Sequence, residues 1–391
     1  MSETLKFGNG QWATKEGSTL AYNSENGNFK PLPFTFDRST SATRVNKDGL
    51  IEVVSNNEPR IDFKDSADGS LLLEPTRSNL ITYSEDFSDA SWTKSNAAVT
   101  LSSELSPMGI LNTYDVVYTS GGFLIESVST TKTIGSSETI SVFSKSDIVG
   151  KFLKFGGGTA SGTDVEKKED YGNGWFRYSV TRTFTEAETG STQLIISSTD
   201  IGLNTTLFGA QLEQGSYATS YIPTQGSVGT RVAESCIQTN INTSIISSSY
   251  PFSMYVESTY IVGNEQPLSF INSNVANNYY VITINSNVVN LDARANGLTE
   301  LISSGVSLVN GQKFKAAITM QSATSGKICV NGNTVISKTN FSNQSVNSNI
   351  NDLLLGQLRT SLDTGNRLPI TDARLYNQAL TDQELINLTK I

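Results

Sequence analysis

The chain is predicted to be an all-β protein that ends in one short helix. Hydrophobic residues make up 37% of its 391 residues and charged residues only 17%, which excludes both a disordered acidic tail and a membrane protein. Ser, Thr, Asn and Gly take the place of charge, as many tight turns require. Period-two apolar runs recur along the chain and predict half-buried strands. The length predicts two or three domains, each with its own core.

The first module, residues 1–79, is predicted to be a set of short strands joined by tight turns. The turn-forming segments are Lys47-Asp48-Gly49, Ser55-Asn56-Asn57 and Ala67-Asp68-Gly69. The apolar residues between them are Val53, Ile61, Phe63, Leu71 and Leu73. Any buried arginine in this block needs a carboxylate partner, and the nearest in sequence are Asp37, Glu52, Asp62 and Glu74. A solvated polar surface is the alternative for any one pair.

The stretch from Phe34 to Leu80 carries an ordered set of motif residues. They are Phe36, Arg38, Ser39, Ala42, Thr43, Arg44, Gly49-Leu50-Ile51-Glu52, Pro59-Arg60-Ile61, Leu73-Glu74-Pro75, Arg77, Asn79 and Leu80. This set resembles a recurring block of virion proteins of tailed bacteriophages, especially head fibres and head spikes, with the crAss-like group as one source. The resemblance implies a structural protein of the particle, a homotrimer that carries lectin-like modules and contacts other virion proteins of capsid or tail.

Phe7 and Trp12 are an aromatic pair on an otherwise polar N-terminal arm. Apolar anchors on such an arm are typical of a docking peptide, so the two residues are candidates for assembly docking. Packing against their own module is the alternative, and the sequence leaves both open.

The second module, residues 80–227, has two marks. One is the run Asn173-Gly174-Trp175 to Val180, and the other is Phe208 to Gly215 followed by Tyr221-Ile222-Pro223-Thr224. Together they resemble the jelly-roll carbohydrate-binding modules of phage fibres and glycan-active enzymes. Trp92 and Trp175 are candidate sugar-stacking platforms, but core positions are favoured because Trp175 leads directly into an apolar strand.

The third module, residues 228–391, is best defined by pattern. Alternation over Lys313 to Gln321 predicts a strand, and Asn331-Gly332-Asn333 predicts a hairpin. Thr381 and Glu384 form a capping box that predicts a helix over the last ten residues. This order of elements resembles the end of concanavalin A-like, laminin-G-type domains.

Glycan binding in this module is expected at edge loops, where exposed faces converge. The candidates supply amides, aromatic faces and guanidinium groups: Asn277, Asn278, Tyr279, Arg294, Asn296 and Arg367. Tyr280, Ile282 and Ile284 follow period two, so a core position is the stronger interpretation for Tyr280.

Catalytic and metal chemistry find little support in the sequence. The chain has no histidine, which removes histidine-based nucleophile systems and the usual zinc site. No carboxylate motif typical of concanavalin A-like glucanases is present, so no enzyme activity is expected. Asp62, Asp65 and Asp68 do not have the spacing of an EF-hand loop, so no sequence motif supports calcium binding. No cofactor is therefore expected. Cys236 and Cys329 are expected to be small buried side chains.

The expected function is therefore a virion head fibre or spike that adheres weakly and multivalently to host or mucosal glycans. A tail fibre or receptor-binding protein is the alternative in the same class, and a glycan-cleaving enzyme with binding modules is the alternative from another class. The net charge of -9 argues against nucleic-acid binding. Without a secretory signal or a membrane-spanning run, the chain is expected to be made in the host cytoplasm and displayed on the virion surface.

Overall fold

The computed structural model describes residues 5–15, 17–23, 28–145, 153–157, 161–197, 204–239, 250–261, 263, 265–271, 278–295, 298–341, 350, 352–357 and 368–391. These residues are almost entirely β-strand, with one short helix near the C-terminus, which confirms the predicted all-β class. Within this described part, no helix combines the length and the apolar character that a membrane span requires.

The elements follow one another in this order: β1 Leu5–Gly8, β2 Thr14–Lys15, β3 Ser18–Asn23, β4 Asn28–Asp37, β5 Ala42–Val45, β6 Ile51–Val54, β7 Ile61–Asp62, β8 Ser70–Leu73, β9 Arg77–Asn79, β10 Thr93–Leu101, β11 Tyr114–Lys132, β12 Ser137–Ser144, β13 Leu153–Gly157, β14 Gly162–Asp170, β15 Phe176–Phe184, β16 Glu188–Ser197, β17 Asn204–Gln214, β18 Gly229–Arg231, β19 Ser235–Gln238, β20 Phe252–Thr259, β21 Glu265–Ile271, β22 Tyr279–Asn285, β23 Val288–Ala295, β24 Leu298–Ser307, β25 Lys313–Ser322, β26 Ser325–Val330, β27 Ile336–Thr339, β28 Asp352–Leu355, β29 Leu368–Tyr376 and α1 Asp382–Thr389.

The chain forms two compact units, both built from separate segments. The first unit contains Met1–Ser41, Val54–Pro75 and Val232–Ile391, and the second contains Ala42–Val53 and Thr76–Arg231. This division differs from the three predicted modules, because residues 1–79 do not form a unit of their own. Their strands β1, β3, β4 and β8 pair with strands of the C-terminal segment or with one another, and Phe34, Phe36 and Leu71 lie in the same core as that segment.

The strands of the first unit form one hydrogen-bonded network that divides into two antiparallel sheets, joined where β1 pairs with β3. Sheet 1 runs β27–β26–β25–β20–β29, and both β1 and β8 pair with β29. Sheet 2 runs β24–β23–β22–β21–β28–β19–β4–β3. Alternate side chains of both sheets meet in one buried cluster, to which β25 contributes Phe314 and Ile318 and β22 contributes Tyr280 and Ile282. The predicted alternation of these two strands is confirmed.

The C-terminal helix α1 forms at the predicted position. The Thr381 side chain accepts a hydrogen bond from the Glu384 backbone N–H, and the Glu384 carboxylate accepts one from the Thr381 N–H at 2.8 Å. Leu385 is buried with Tyr255 and Ala317, so the helix covers part of the outer face of sheet 1. The predicted hairpin joins β26 to β27, and Asn331 and Gly332 both have positive φ.

Among its described residues, the second unit contains one antiparallel sheet of eight strands and two short two-stranded sheets, β5–β6 and β9–β18. The order of the larger sheet is β13–β16–β11–β17–β12–β15–β14, and β10 pairs with β11. The 19-residue strand β11 pairs with β17 near its start and with β16 over its second half. It therefore lies between these two strands in the sheet. Trp92 and Trp175 are 2% and 1% exposed and lie in the cores of this unit, which confirms the favoured interpretation of both. The jelly-roll connection pattern stays a prediction.

Buried ion pairs join the three segments of the first unit. Arg60 donates from Nε and Nη2 to the two carboxylate oxygens of Glu234, each at 2.6 Å, and from Nη1 to Glu74 at 3.0 Å. Arg38 donates to Glu234 at 3.0 Å, and all four side chains are fully buried. Burial alone would lower the pKa of Arg60, but the charges of Glu234 and Glu74 outweigh this and raise it. Arg38 and Arg60 of the N-terminal block are therefore internal to the fold of this unit.

The closing motif of the predicted jelly-roll module is a buried hydrogen-bond network in the second unit. The amide oxygen of Gln211 accepts from the Ile222 N–H at 2.8 Å, and Gln211 Nε2 donates to Glu213 at 2.9 Å. Glu213 also accepts from the N–H and the hydroxyl of Thr219 at 2.8 and 2.7 Å. These residues hold the segment that follows β17, so their role here is structural.

Phe7 and Trp12 pack against the core of the first unit. Phe7 is 2% exposed and meets Phe34 edge to face with ring centroids 4.2 Å apart. Trp12 is half-buried against the same core, and its indole N–H donates to the Asp68 carbonyl at 3.0 Å. Because β1 pairs with β29, Phe7 faces inward and is not available as an assembly-docking anchor.

Candidate functional site

The structure brings two of the predicted glycan-binding residues together. Tyr279 on β22 and Arg294 on β23 are direct cross-strand partners in sheet 2. Asn278 is buried immediately before β22. Asn277, Asn296 and Arg367 lie outside the described residues.

A two-residue turn fixes this pairing. Strand β22 ends at Asn285 and β23 starts at Val288, and both intervening residues, Ser286 and Asn287, have positive φ. Such a turn sets the register of a hairpin, because it determines which residues lie opposite each other. Tyr279 therefore faces Arg294, and Val281 faces Asp292.

The side chains of Tyr279 and Arg294 project from the outer face of sheet 2. Tyr280, Ile282 and Leu291 point the other way, into the core between the sheets. On the outer face, a second apolar cluster is formed by Ile271, Tyr279, Val281 and Leu354, against which Ile237 packs. These cluster side chains form an apolar floor that is shielded from solvent.

Polar groups lie at the edge of this floor. The Tyr279 hydroxyl donates to Asp292 Oδ2 at 3.4 Å. Burial raises the pKa of Asp292. The hydrogen bond from Tyr279 and the positive charge of Arg294 act in the opposite direction and reduce this rise. Burial also raises the pKa of Tyr279, an effect that the charge of Asp292 increases and Arg294 opposes. Tyr279, Asp292 and Arg294 thus act on one another electrostatically as one site.

Buried polar atoms on this face that have no hydrogen-bond partner include the hydroxyl oxygen of Ser269, Oδ1 of Asp292 and Nε of Arg294. Ser269 lies opposite Val281 on β21, one strand from Asp292. Because buried polar atoms in folded proteins are nearly always paired, these atoms are expected to bind ordered water.

Sequence reasoning missed Asp292 and Ser269. The signal for Asp292 was present, since Asn285-Ser286-Asn287 is rich in turn-forming residues and Asp292 and Arg294 alternate with Leu291 and Ala293. Ser269 had no such signal, because its place beside Val281 depends on the pairing of β21 with β22.

Metal binding has no geometric basis in the part of the chain that the structure describes. Within it, no group of three or more Cys, Asp or Glu side chains is arranged to hold a metal ion. Cys236 and Cys329 are buried free thiols, and burial raises the pKa of both.

Comparisons with known proteins identify the C-terminal part of the first unit. Residues 234–386 match the Laminin_G_3 family model, described as the concanavalin A-like lectin/glucanases superfamily. No curated protein sequence matches the chain significantly.

Several solved structures are distantly similar in fold. The CBM40 domain of the Ruminococcus gnavus IT-sialidase bound to α2,3-sialyllactose is 14% identical with a TM-score of 0.32, covering 36% of this chain and 83% of that one. The NanB sialidase from Streptococcus pneumoniae is 21% identical with a TM-score of 0.34, covering 39% of this chain and 26% of that one. Domain 4 of AbnA, a GH43 extracellular arabinanase from Geobacillus stearothermophilus, in complex with arabinotriose, is 15% identical with a TM-score of 0.31, covering 40% and 73%. At TM-scores this low, the likenesses do not bear on what this chain binds.

The residues of the family match lie within the first unit but make up only part of it. The matched residues supply β19 to β29 and most of α1, which make up most of both sheets of the first unit. Residues 234–386 therefore form a concanavalin A-like domain, whose sheets also incorporate β1, β3, β4 and β8 from the N-terminal part of the chain.

Proposed function

We propose that this chain is an adhesion protein that binds glycans on the outer face of sheet 2. The observation that carries the proposal is that the outer face of sheet 2 places Tyr279, Asp292 and Arg294 together, with Asp292 and Arg294 half-buried at the edge of the apolar floor. Sugars present hydroxyl groups beside apolar C–H faces, and such ligands need a few placed polar groups next to an apolar surface. The family match to concanavalin A-like lectins and glucanases supports the same class of ligand.

The test is a glycan array probed with the wild-type chain and with Asp292→Asn. This substitution keeps the size of the side chain but removes its charge, so we expect weaker binding without a change in thermal stability. Arg44→Gln is the matched control, because Arg44 forms an exposed ion pair with Glu52 in the second unit. Loss of glycan binding in the control, or full binding by Asp292→Asn, would contradict the assignment of the site.

The finer part of the proposal is that the protein is a head fibre or spike of a tailed phage, displayed as a homotrimer on the virion surface. The motif residues between Phe36 and Leu80 support this, through their resemblance to phage virion proteins. Three copies of a weak site would gain avidity that one site lacks. A tail fibre would share every one of these features. Imaging the protein on the particle separates capsid from tail, and a native mass near a single 42.2 kDa chain would count against the trimer.

We further propose that binding occurs without cleavage. The chain contains no histidine, and the outer face of sheet 2 places Asp292 beside a cation, Arg294, and not beside a second carboxylate on the same strand. Glycoside hydrolysis canonically needs two carboxyl groups about 5 to 9.5 Å apart. Incubation with capsular glycans should release no reducing ends, and sustained release would establish the alternative, a glycan-cleaving enzyme.

A further inference from the structure

The connection between β10 and β11 in the second unit exposes aliphatic side chains to solvent. We name residues 101–113 the aliphatic loop, because four of its leucine and isoleucine side chains are 52–66% exposed: Leu101, Leu105, Ile110 and Leu111. Three hydroxyl-bearing residues of the same loop are instead buried, namely Ser102, Ser106 and Thr113. Single exposed aliphatic residues are ordinary on a protein surface, but several within one short loop indicate an interaction site.

Hydrogen bonds hold the aliphatic loop in this arrangement. The Trp175 indole N–H donates to the Leu105 carbonyl at 3.0 Å, and the Ser106 N–H donates to the Ile110 carbonyl at 2.9 Å. Pro107, between these two bonds, is buried in the second unit. Because the backbone is fixed on both sides of Pro107, the exposed side chains cannot turn into the core without breaking these bonds. Another molecule is therefore needed to cover them.

The charges near the loop favour a second copy of this chain as that molecule. The net charge of -9 makes two copies repel each other overall. In the loop, however, Glu104 forms an ion pair with Lys145 at 2.9 Å, and the Asn112 amide donates to Glu85 at 2.8 Å. The carboxylates at this surface thus have partners within their own chain. An aliphatic surface is also complementary to itself, as a symmetric contact requires.

The composition of the loop disfavours other ligands. Residues 101–113 contain no aromatic side chain, which a sugar ring would use for stacking, and no lysine or arginine, which an anionic lipid surface would attract.

The size of the aliphatic surface sets the expected strength of the contact. Four side chains at this exposure supply apolar area on the order of a few hundred Å², whereas a stable complex buries about 800 Å² per partner. The aliphatic loop therefore provides the apolar centre of a contact whose rim is polar. Association through it should depend on protein concentration.

We infer that copies of this chain associate through the aliphatic loop, with Leu105, Ile110 and Leu111 packed against the same loop of a neighbouring copy. The inference rests on the part of the proposed function in which the chain forms an oligomer, and it names the surface of contact. It applies to two or three copies, since a loop placed at a twofold or threefold axis meets itself.

The experiment is sedimentation velocity on the purified full chain over a concentration series. Leu111→Glu places like charges across the contact, so its dissociation constant should rise by roughly 10-fold or more. Its melting temperature should not change, because the side chain is exposed. Ile134→Glu is the matched control, since Ile134 is 73% exposed at the β11–β12 turn of the same unit, and it should associate as the wild type does. An equimolar mixture of Leu111→Glu and Leu111→Lys should recover association, because opposite charges then meet.

The contrary outcomes separate this inference from the proposed function. Equal association of the wild type and Leu111→Glu would overturn the assignment of the surface and leave the oligomer intact. Equal weakening in Ile134→Glu, or no recovery in the mixture of charged variants, would overturn the contact of the loop with itself. A wild type that stays monomeric at every concentration would overturn both this inference and the proposed trimer, while glycan binding would stand.

Discussion

Replacement of Glu234 by Gln should destabilise the first unit by about 3–5 kcal/mol. The Glu234 carboxylate accepts two hydrogen bonds from Arg60, one from Arg38 and one from the Glu74 backbone N–H, at 2.6 to 3.0 Å. A glutamine has one oxygen and one NH₂ group there, so an N–H would face the N–H donors of these partners. The cluster would also change from two cations and two anions to an excess of one buried positive charge. Breaking a buried ion pair by removing one partner costs about this much.

Equilibrium urea denaturation with hydrogen-exchange mass spectrometry measures this effect for each unit separately. A single free energy of unfolding is not defined for a chain with two units, so exchange in β4, β8 and β19 reports on the first unit and exchange in β12 and β17 on the second. The control is Glu52→Gln, which breaks the exposed pair with Arg44 at 2.7 Å and should cost less than about 1 kcal/mol. If Glu234→Gln cost no more than this control, the structural role assigned to the buried cluster would be refuted.

Three further predictions concern single residues of the first unit. Phe7→Ala should lower the free energy of unfolding by about 3–5 kcal/mol, because it leaves a cavity beside Phe34; a stable variant defective only in assembly would contradict the core position. Thr381→Ala should cost about 1 kcal/mol through loss of the helix cap, measured by the same denaturation and checked against Thr381→Ser, which keeps the hydroxyl. Burial raises the pKa of Glu265 from 4.5 to about 9, so its contribution to stability is fully present below pH 4.5 and is lost as pH rises through 9. Glu265→Gln should therefore flatten the decline of the melting temperature between pH 5 and 9, and an unchanged pH profile would show that the carboxyl is not protonated in the fold.

The local sequence pattern predicted several individual strands, turns and the helix. It could not predict which distant strands and side chains pair with one another. The strand from Lys313, the hairpin at Asn331-Gly332 and the helix after Thr381 all form as predicted, because each depends on side chains only a few residues apart. The partner of Arg60 illustrates the opposite case. Glu74 was among the carboxylates expected from nearby sequence, but Glu234 is 174 residues away and only the tertiary fold brings it there.

The candidate site shows the same division. Tyr279 and Arg294 were predicted from residue type alone, and the turn at Ser286-Asn287 explains why they meet. The apolar floor was not predictable, since Leu354 reaches it through the pairing of β28 with β21, more than 80 residues apart in the chain. The placement of Phe7 was left open because a single aromatic residue on a polar strand is equally compatible with an exposed anchor and with a core position.

The discontinuous first unit makes a prediction about fragments of the chain. If residues 1–79 were an independent module, that fragment would fold cooperatively by itself. In the structure, however, β1 and β8 pair with β29, β4 pairs with β19, and Arg38 and Arg60 depend on Glu234, so the fragment lacks both its strand partners and the main carboxylate of its ion cluster. We expect it to show no cooperative thermal transition and no hydrogen-exchange protection. A fragment of residues 42–231 retains every segment of the second unit and should unfold cooperatively, as the matched control. Cooperative folding of 1–79 alone would mean that its strands form a core without the C-terminal segment, and residues 1–79 would then be an independent module as the sequence predicts.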